Sequence, residues 1–356
     1  MVHMRIDQVT FTRFLAAISI VVFHFGKNIF PFNHESISFL FRHANIGVSY
    51  FFILSGFVMS IAYGNKSRIN PFEYLKNRFA RIYPVYLLAI LLVLTYNITT
   101  NSPIDNNGLI LNILTMQAWV PGKALSFNYP GWSLSVEIFF YILFPFLSNY
   151  IYKEKHFKLL VVLVILIWFI SQCTLHLIAS SNIYHSFPAE KLDLTYYFPL
   201  MHLNEFLIGN LAGLIFMKKF KENNRSYDWL IFFIITIIII ALKYPAGLDY
   251  HNGMLAIFFV PLILLISSSN GKLVSILNKK PFIFLGEISY SIYILQLPIF
   301  LWSDKLFYYL HINDQIIKFY GSFFFLIIAS IISYIIIETP LRKQIKNIRL
   351  TSSYNP

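Results

Sequence analysis

Cysteine is all but missing from this chain: Cys173 is the only one, which excludes a disulfide framework and a cysteine-built metal site. Charge is scarce as well. Asp, Glu, Lys and Arg make up 12% of the 356 residues and hydrophobic residues 57%, a balance that rules against a soluble core and points to a polytopic membrane protein. Three catalytic signatures are absent too: a Gly-rich loop ending in Lys-Ser/Thr, a His-Glu-x-x-His helix and a Gly-x-Ser-x-Gly elbow. P-loop phosphate chemistry, zinc-peptidase chemistry and nucleophile-elbow hydrolysis are thereby set aside. Acidic residues number 16 against 28 Lys and Arg, for a formal charge of +12. The basic excess stands in short clusters between apolar runs, so it reads as a topology signal and not as a nucleic-acid footprint.

What fills the chain is apolar sequence. Runs of roughly 18 or more mostly apolar residues fall near 8–30, 44–63, 81–99, 132–151, 157–178, 199–217, 229–244, 253–268, 283–303 and 317–337. They predict an all-α polytopic membrane protein with about ten transmembrane helices, one domain with a core over about 8–343 and no appended soluble domain. The stretch 108–120 is too short to cross and reads as interfacial or re-entrant. With both termini inside, twenty of the 28 basic residues fall on the inner side, among them Arg5, Lys66, Lys153, Lys155, Lys221, Arg342 and Arg349. That is the positive-inside pattern, and it would collapse if 108–120 crossed. The end "TPLRKQIKNIRLTSSYNP" reads as a short basic tail, partly disordered.

Polar residues inside the spans carry the functional signal. Arg13 and His24 are eleven residues apart in the first span, three turns of a regular helix, so both project from nearly one face about 16 Å apart. An unpaired arginine at such depth is costly, and the stripe is expected to face a bundle interior or wet cavity; the plainer reading is a snorkelling Arg13 and a His24 bonded to a neighbouring helix. In "YPGWSLSVEIFFY", residues 129–141, Glu137 lies two turns inside its span, at a depth expected to match His24. A carboxylate there can hold a histidine tautomer and balance an imidazolium, or serve as a structural partner of an arginine. Arg78 and Arg81 share a helix face at the inner end of the third span, a spacing that suits phosphate oxygens as well as lipid headgroups. Ser55-Gly56 fall mid-membrane, as a packing groove or a loosened backbone beside a channel. His202 and Glu205, at i and i+3, are expected to pair, and Glu287, Ser289, Tyr290, Tyr293 and Gln296 form a polar stripe that can line a cavity.

Taken in order, Arg-x10-His, "FFxxSGF", Arg-x-x-Arg, "WSLSVExxFY", "EFxxG", "SYSxYxxQ" and a final "IExP" before basic residues resemble the acyltransferase-3 family of integral membrane O-acyltransferases, over about 10–343. The resemblance implies ten helices, acetyl-CoA as acyl donor on the cytoplasmic side, no metal, and acylation of an extracytoplasmic hydroxyl, commonly on a surface polysaccharide such as lipopolysaccharide O-antigen. It implies a place in a bacterial cytoplasmic (inner) membrane, with a glycan acceptor and membrane lipid as partners, no nucleic acid, and self-association left open. By position, His24 takes the role of catalytic histidine with Arg13 beside it and Glu137 as a further catalytic group. Arg78 and Arg81, with Ser55, fall on the donor side. Trp132, Ser133 and Tyr290 are candidates for substrate binding and for stabilising the oxyanion. Two positions depart from the pattern: His202 stands where an arginine often precedes "EF", and Gln296 where a histidine often closes its motif, so neither is expected to carry chemistry.

Two other classes fit some of the same residues. A transporter or flippase would use an intramembrane Arg/His/Glu relay, but no inverted repeat and no pair of broken spans is visible. An assembly subunit would leave Arg13 and His24 replaceable.

Overall fold

The computed structural model describes residues 6–152, 157–180, 189–220 and 225–348. Arg5, Lys153, Lys155, Lys221 and Arg349 of the basic pattern, the Lys191 side chain and the tail beyond 348 lie outside them. The described chain is helical throughout, without strands, as the long apolar runs require once every backbone polar group must be satisfied within its own segment. Among the described residues, eight helices are long and apolar enough to cross a membrane. They are α1 (Asp7–Gly26), α2 (Ile46–Tyr63), α3 (Pro71–Thr99), α5 (Tyr129–Ile151), α6 (Phe157–Ile178), α7 (Pro199–Lys219), α10 (Lys280–Tyr309) and the continuous Gln315–Asn347 run. That run divides at a π turn, Tyr334–Glu338, into α11 (Gln315–Ser333) and α12 (Thr339–Asn347). Two expected spans are shorter. Helices α8 (Asp228–Lys243) and α9 (Ala256–Ser268) hold 16 and 13 residues, about 24 and 20 Å, against a hydrocarbon core of about 30 Å.

The stretch expected not to cross folds as the two-turn helix α4 (Asn106–Ile113) and a single turn over Gln117–Trp119. It is tied into the bundle through buried amides. Tyr86 Oη donates to the Asn112 carbonyl at 2.9 Å, and Gln117 Nε2 donates to the Gly131 carbonyl at 2.6 Å. The first half of the stretch expected to be a partly disordered basic tail is helical, α12. Lys76 Nζ donates to the carbonyls of Lys346 and Ile348 at 3.1 and 2.7 Å, satisfying groups a helix end leaves open and holding α12 against α3.

Helix α2 is the most deeply buried span, and its seam with α7 sets the spacing of the centre. Gly56 faces the Phe206 carbonyl and Gly209 the Ile53 carbonyl so closely that an added Cβ would sit 2.3 and 2.0 Å from those oxygens. Small residues let the two backbones touch, and Ser60 Oγ donates across the seam to Asn210 Oδ1 at 2.9 Å. Helix α10 is pinned to α3 by Tyr290 Oη on the Ile82 carbonyl at 2.7 Å and Trp302 Nε1 on the Leu92 carbonyl at 3.0 Å. Pro298 inside α10 cannot donate to the Ile294 carbonyl. Asn128 Nδ2 donates to it instead, at 3.3 Å, and so fastens the Tyr129–Gly131 turn to α10.

Candidate active site

One end of the bundle gathers the start of α1, the α2–α3 connection, the start of α10 and α12 around a cavity of about 480 Å³. Its wall carries Arg13, Lys66, Arg78, Arg81, Arg342 and Lys346 against Glu73, Glu287 and Glu338. Cations outnumber carboxylates two to one. A narrower chamber of about 90 Å³ adjoins it, sharing Arg13, Arg78 and Arg81, and runs inward past Ser55, Glu137, Ser133, Tyr290 and Tyr293. The expected residues from five separate spans therefore meet at one place.

Glu137 is the polar centre of the chamber. Tyr141 Oη donates to its Oε1, as does Ser55 Oγ at 3.4 Å. Tyr141 was not singled out from sequence, although i+4 places it on the face of Glu137. Arg78 is enclosed by rings: its guanidinium carbon lies 5.4, 5.3 and 5.7 Å from the centroids of Tyr63, Tyr74 and Tyr141. Such an arrangement fixes a planar cation by its faces, and the Tyr63 and Tyr74 hydroxyls also take hydrogen bonds from it. Its Nε is buried with no hydrogen-bond partner. Among the described residues, none of Arg13, Arg78, Arg81 and Arg342 forms an ion pair. Glu137 and Glu338 act electrostatically on Arg13, and Glu338 on Arg81 and Arg342 as well, but cations still outnumber carboxylates around a cavity of ligand size, which suits an anion.

The expected shared level of His24 and Glu137 is not found. The last turn of α1, Val22–Gly26, is π-helical, so the regular spacing that carries Arg13 round to His24 stops at Val21. His24 is exposed at the opposite end of the bundle, its ring centroid 4.7 Å from that of Tyr129. Tyr129 precedes Glu137 by eight residues, which is about 12 Å of helix. Neither His24 ring nitrogen is hydrogen-bonded among the described residues, and His24 lines neither cavity. Between the chamber and His24 stands the Tyr129–Gly131 turn. Tyr293 Oη donates to the Pro130 carbonyl at 3.1 Å, and Ser133 Oγ donates to Tyr293 Oη at 2.9 Å.

The remaining assignments divide. Ser133 and Tyr290 line the chamber, but their hydroxyl protons are engaged, Tyr290 with the Ile82 carbonyl. Trp132 lies outside it, 5.2 Å from the His202 ring and 4.9 Å from Tyr197 by centroid. His202 and Glu205 do pair, Nδ1 to Oε2 at 2.7 Å, both buried, while His202 Nε2 donates to the Tyr196 carbonyl at 2.8 Å. His251, in the connection before α9, closes this second cluster, and burial followed by the nearby His202 holds its imidazole below the ordinary value. Gln296 is buried, its Nε2 donating to the Tyr293 carbonyl at 2.7 Å, so it braces the backbone beside the chamber.

Residues 6–338 match a family model described as an acyltransferase domain. The acyltransferase MdmB of Streptomyces mycarofaciens is 28% identical over 228 residues, 59% of this chain and 57% of that protein. The O-acetyltransferase OatA of Staphylococcus aureus is 23% identical across 93% of this chain and 56% of its own length. Protein 2 in the picA locus of Rhizobium radiobacter is 36% identical over 115 residues, 26% of this chain and 60% of that protein. This chain thus spans little more than half the length of the first two relatives. No solved structure matches. With a family match over nearly its whole length and an anion-ready cavity in its core, the chain belongs to the acyltransferase-3 family of membrane acyltransferases.

Proposed function

We propose that the chain is a membrane O-acetyltransferase that carries an acetyl group from cytoplasmic acetyl-CoA to a hydroxyl of an extracytoplasmic glycan, lipopolysaccharide O-antigen or another surface polysaccharide. The observation that carries this reading is the arginine-lined cavity leading inward to Glu137 within a chain of the acyltransferase family. The basic loops support a cavity on the inner side of a bacterial cytoplasmic membrane, with both termini on that side. The cavity suits the donor by size, by charge and by the unpartnered Arg78 Nε, with Arg78 and Arg81 gripping phosphate oxygens. The narrow chamber admits only a thread of atoms, about three waters' worth, as a thioester arm requires.

His24, exposed and with both ring nitrogens open, meets the acceptor from the other side. It removes the hydroxyl proton as the oxygen attacks the thioester carbonyl; the C–O bond forms, the C–S bond breaks, and the thiolate takes up the proton on leaving. Glu137 and Arg13 balance charge along the donor arm. The Tyr129–Gly131 turn keeps the two substrates apart until it shifts, which excludes water as a competing nucleophile. The test compares acetyl-ester content of surface polysaccharide in cells with wild type, His24→Ala or no protein, at equal membrane levels. Esters lost in both altered strains support the reading. Esters retained in the His24→Ala strain remove the histidine from the mechanism, and labelled donor taken up without transfer would point to a transporter.

A further inference from the structure

Helix α12 was expected to be a loose basic tail, yet it forms a wall of the larger cavity. Its hydrophilic sequence repeats cations at i and i+4, Arg342 and Lys346, so both project from one face, and that face is turned to the cavity. The helix is held there rather than merely near there. Lys76 caps its last carbonyls, and Thr339 begins it directly after the π turn that ends in buried Glu338. Across the cavity stand Lys66, Arg78 and Arg81. Arg342 forms no ion pair within contact distance among the described residues, and the carboxylate that acts on it electrostatically is Glu338, one turn before it.

Resting on the donor reading above, we propose that α12 forms the subsite for the phosphorylated nucleotide end of the acyl donor, with Arg342 and Lys346 as its specificity-determining cations. Two arguments converge on that end of the molecule. The first is size: the narrow chamber cannot hold a nucleotide, whereas about 480 Å³ is ordinary for a ligand of that bulk. The second is charge: six cations against three carboxylates leave an excess of three, which a phosphate monoester and a diphosphate can balance. A glycan hydroxyl or a bare thioester offers nothing for such a surface to hold. Phosphate also occurs on lipid headgroups, and that alternative source is separated experimentally below.

The full-length protein is reconstituted in nanodiscs of phosphatidylcholine, and binding of three probes is measured by calorimetry: CoA, adenosine 3′,5′-bisphosphate and pantetheine. The proteins are wild type, Arg342→Gln/Lys346→Gln and the charge-keeping Arg342→Lys. Expected is binding of CoA and of the bisphosphate by wild type, weakened about tenfold for each cation removed, a smaller loss with Arg342→Lys, and pantetheine binding unchanged throughout. Unchanged CoA affinity in the double variant overturns the α12 subsite and leaves the donor reading standing. No CoA binding by wild type overturns both. Bisphosphate binding abolished by phosphatidylglycerol in the discs, together with anionic lipid retained by wild type and lost by the double variant, overturns the nucleotide assignment in favour of a headgroup site. A melting temperature within about 2 °C of wild type shows that the double variant is folded; if it is not, the Arg342→Lys comparison decides.

Discussion

Substituting Gly209 by alanine tests the seam on which the central chamber depends. Alanine is the better helix former by about 1 kcal/mol in a helix interior, so a loosely packed seam would gain stability. The geometry opposes that gain. The new Cβ would lie 2.0 Å from the Ile53 carbonyl oxygen, 2.8 Å from its carbon and 3.0 Å from its Cα, all backbone atoms without a rotamer to yield. Ordinary contact begins near 3.4 Å, so α2 and α7 must part by more than 1 Å. Overpacking of this kind costs about 3 kcal/mol, leaving a net loss of about 2 kcal/mol after the helix-propensity gain. In a chain of this size that is a fall of roughly 3 °C in apparent melting temperature, measured on purified protein by fluorescence-detected size exclusion after heating. Ser55 lies two residues beyond Ile53 and already reaches Glu137 at the long distance of 3.4 Å, so acetyl transfer should fall with stability. Gly247→Ala is the control: nothing lies within 4 Å of its Cβ, and only its φ of +77° resists the change, for about 1 kcal/mol. A Gly209→Ala protein that melts at or above the wild-type temperature would refute the close seam.

Three further outcomes follow from the same geometry. His202→Ala strips from the buried carboxylate of Glu205 its hydrogen-bond partner among the described residues and should cost about 3–5 kcal/mol in thermal unfolding, with His202→Gln losing less. Arg78→Lys keeps the charge but gives up a planar group matched to three tyrosine rings, so CoA affinity should fall about tenfold by calorimetry while the protein stays folded. Asp105 accepts from Lys123 Nζ at 2.8 Å, and that hydrogen bond, followed by one from the Gly108 N–H, holds its carboxyl below the ordinary value. A lowered folded pKa stabilises above the ordinary carboxylate range and is lost as pH falls through the folded value. The melting difference between wild type and Asp105→Asn should therefore be present at neutral pH, shrink in high salt and vanish in acid.

Much of the site was legible because charge inside a membrane is rare enough to be noticed. Arg13 and Glu137 were found that way, Arg78 and Arg81 by their shared helix face at the inner end of a span, and the four meet around joined cavities. Tyrosines are common in this chain, 23 in all, so nothing in the sequence set Tyr63 and Tyr74 apart as the surround of Arg78, and Tyr141, although it closes the "WSLSVExxFY" motif, carried no sign of that role. Trp132 and Ser133 looked like one motif, but adjacent helical residues point about 100° apart, and they serve different clusters. The place of His24 was hidden by backbone geometry: a π turn cannot be read from residue types, and it broke the regular count from Arg13. Helix α12 was not foreseen because its nine residues are mostly polar and its anchor, Lys76, lies 270 residues away from Lys346 in sequence.

The bond from Asn128 to the carbonyl freed by Pro298 joins groups 166 residues apart. At a synthesis rate of roughly 5–20 residues per second, the turn leaves the ribosome on the order of ten to thirty seconds before its acceptor exists. Until then the partition between chamber and His24 has no fixed wall, and helices α1 to α9 can be in place without a working centre. A chain stalled or truncated before α10 lacks both this bond and the α10 wall of the chamber, and it should accumulate in the membrane without transferring acyl groups.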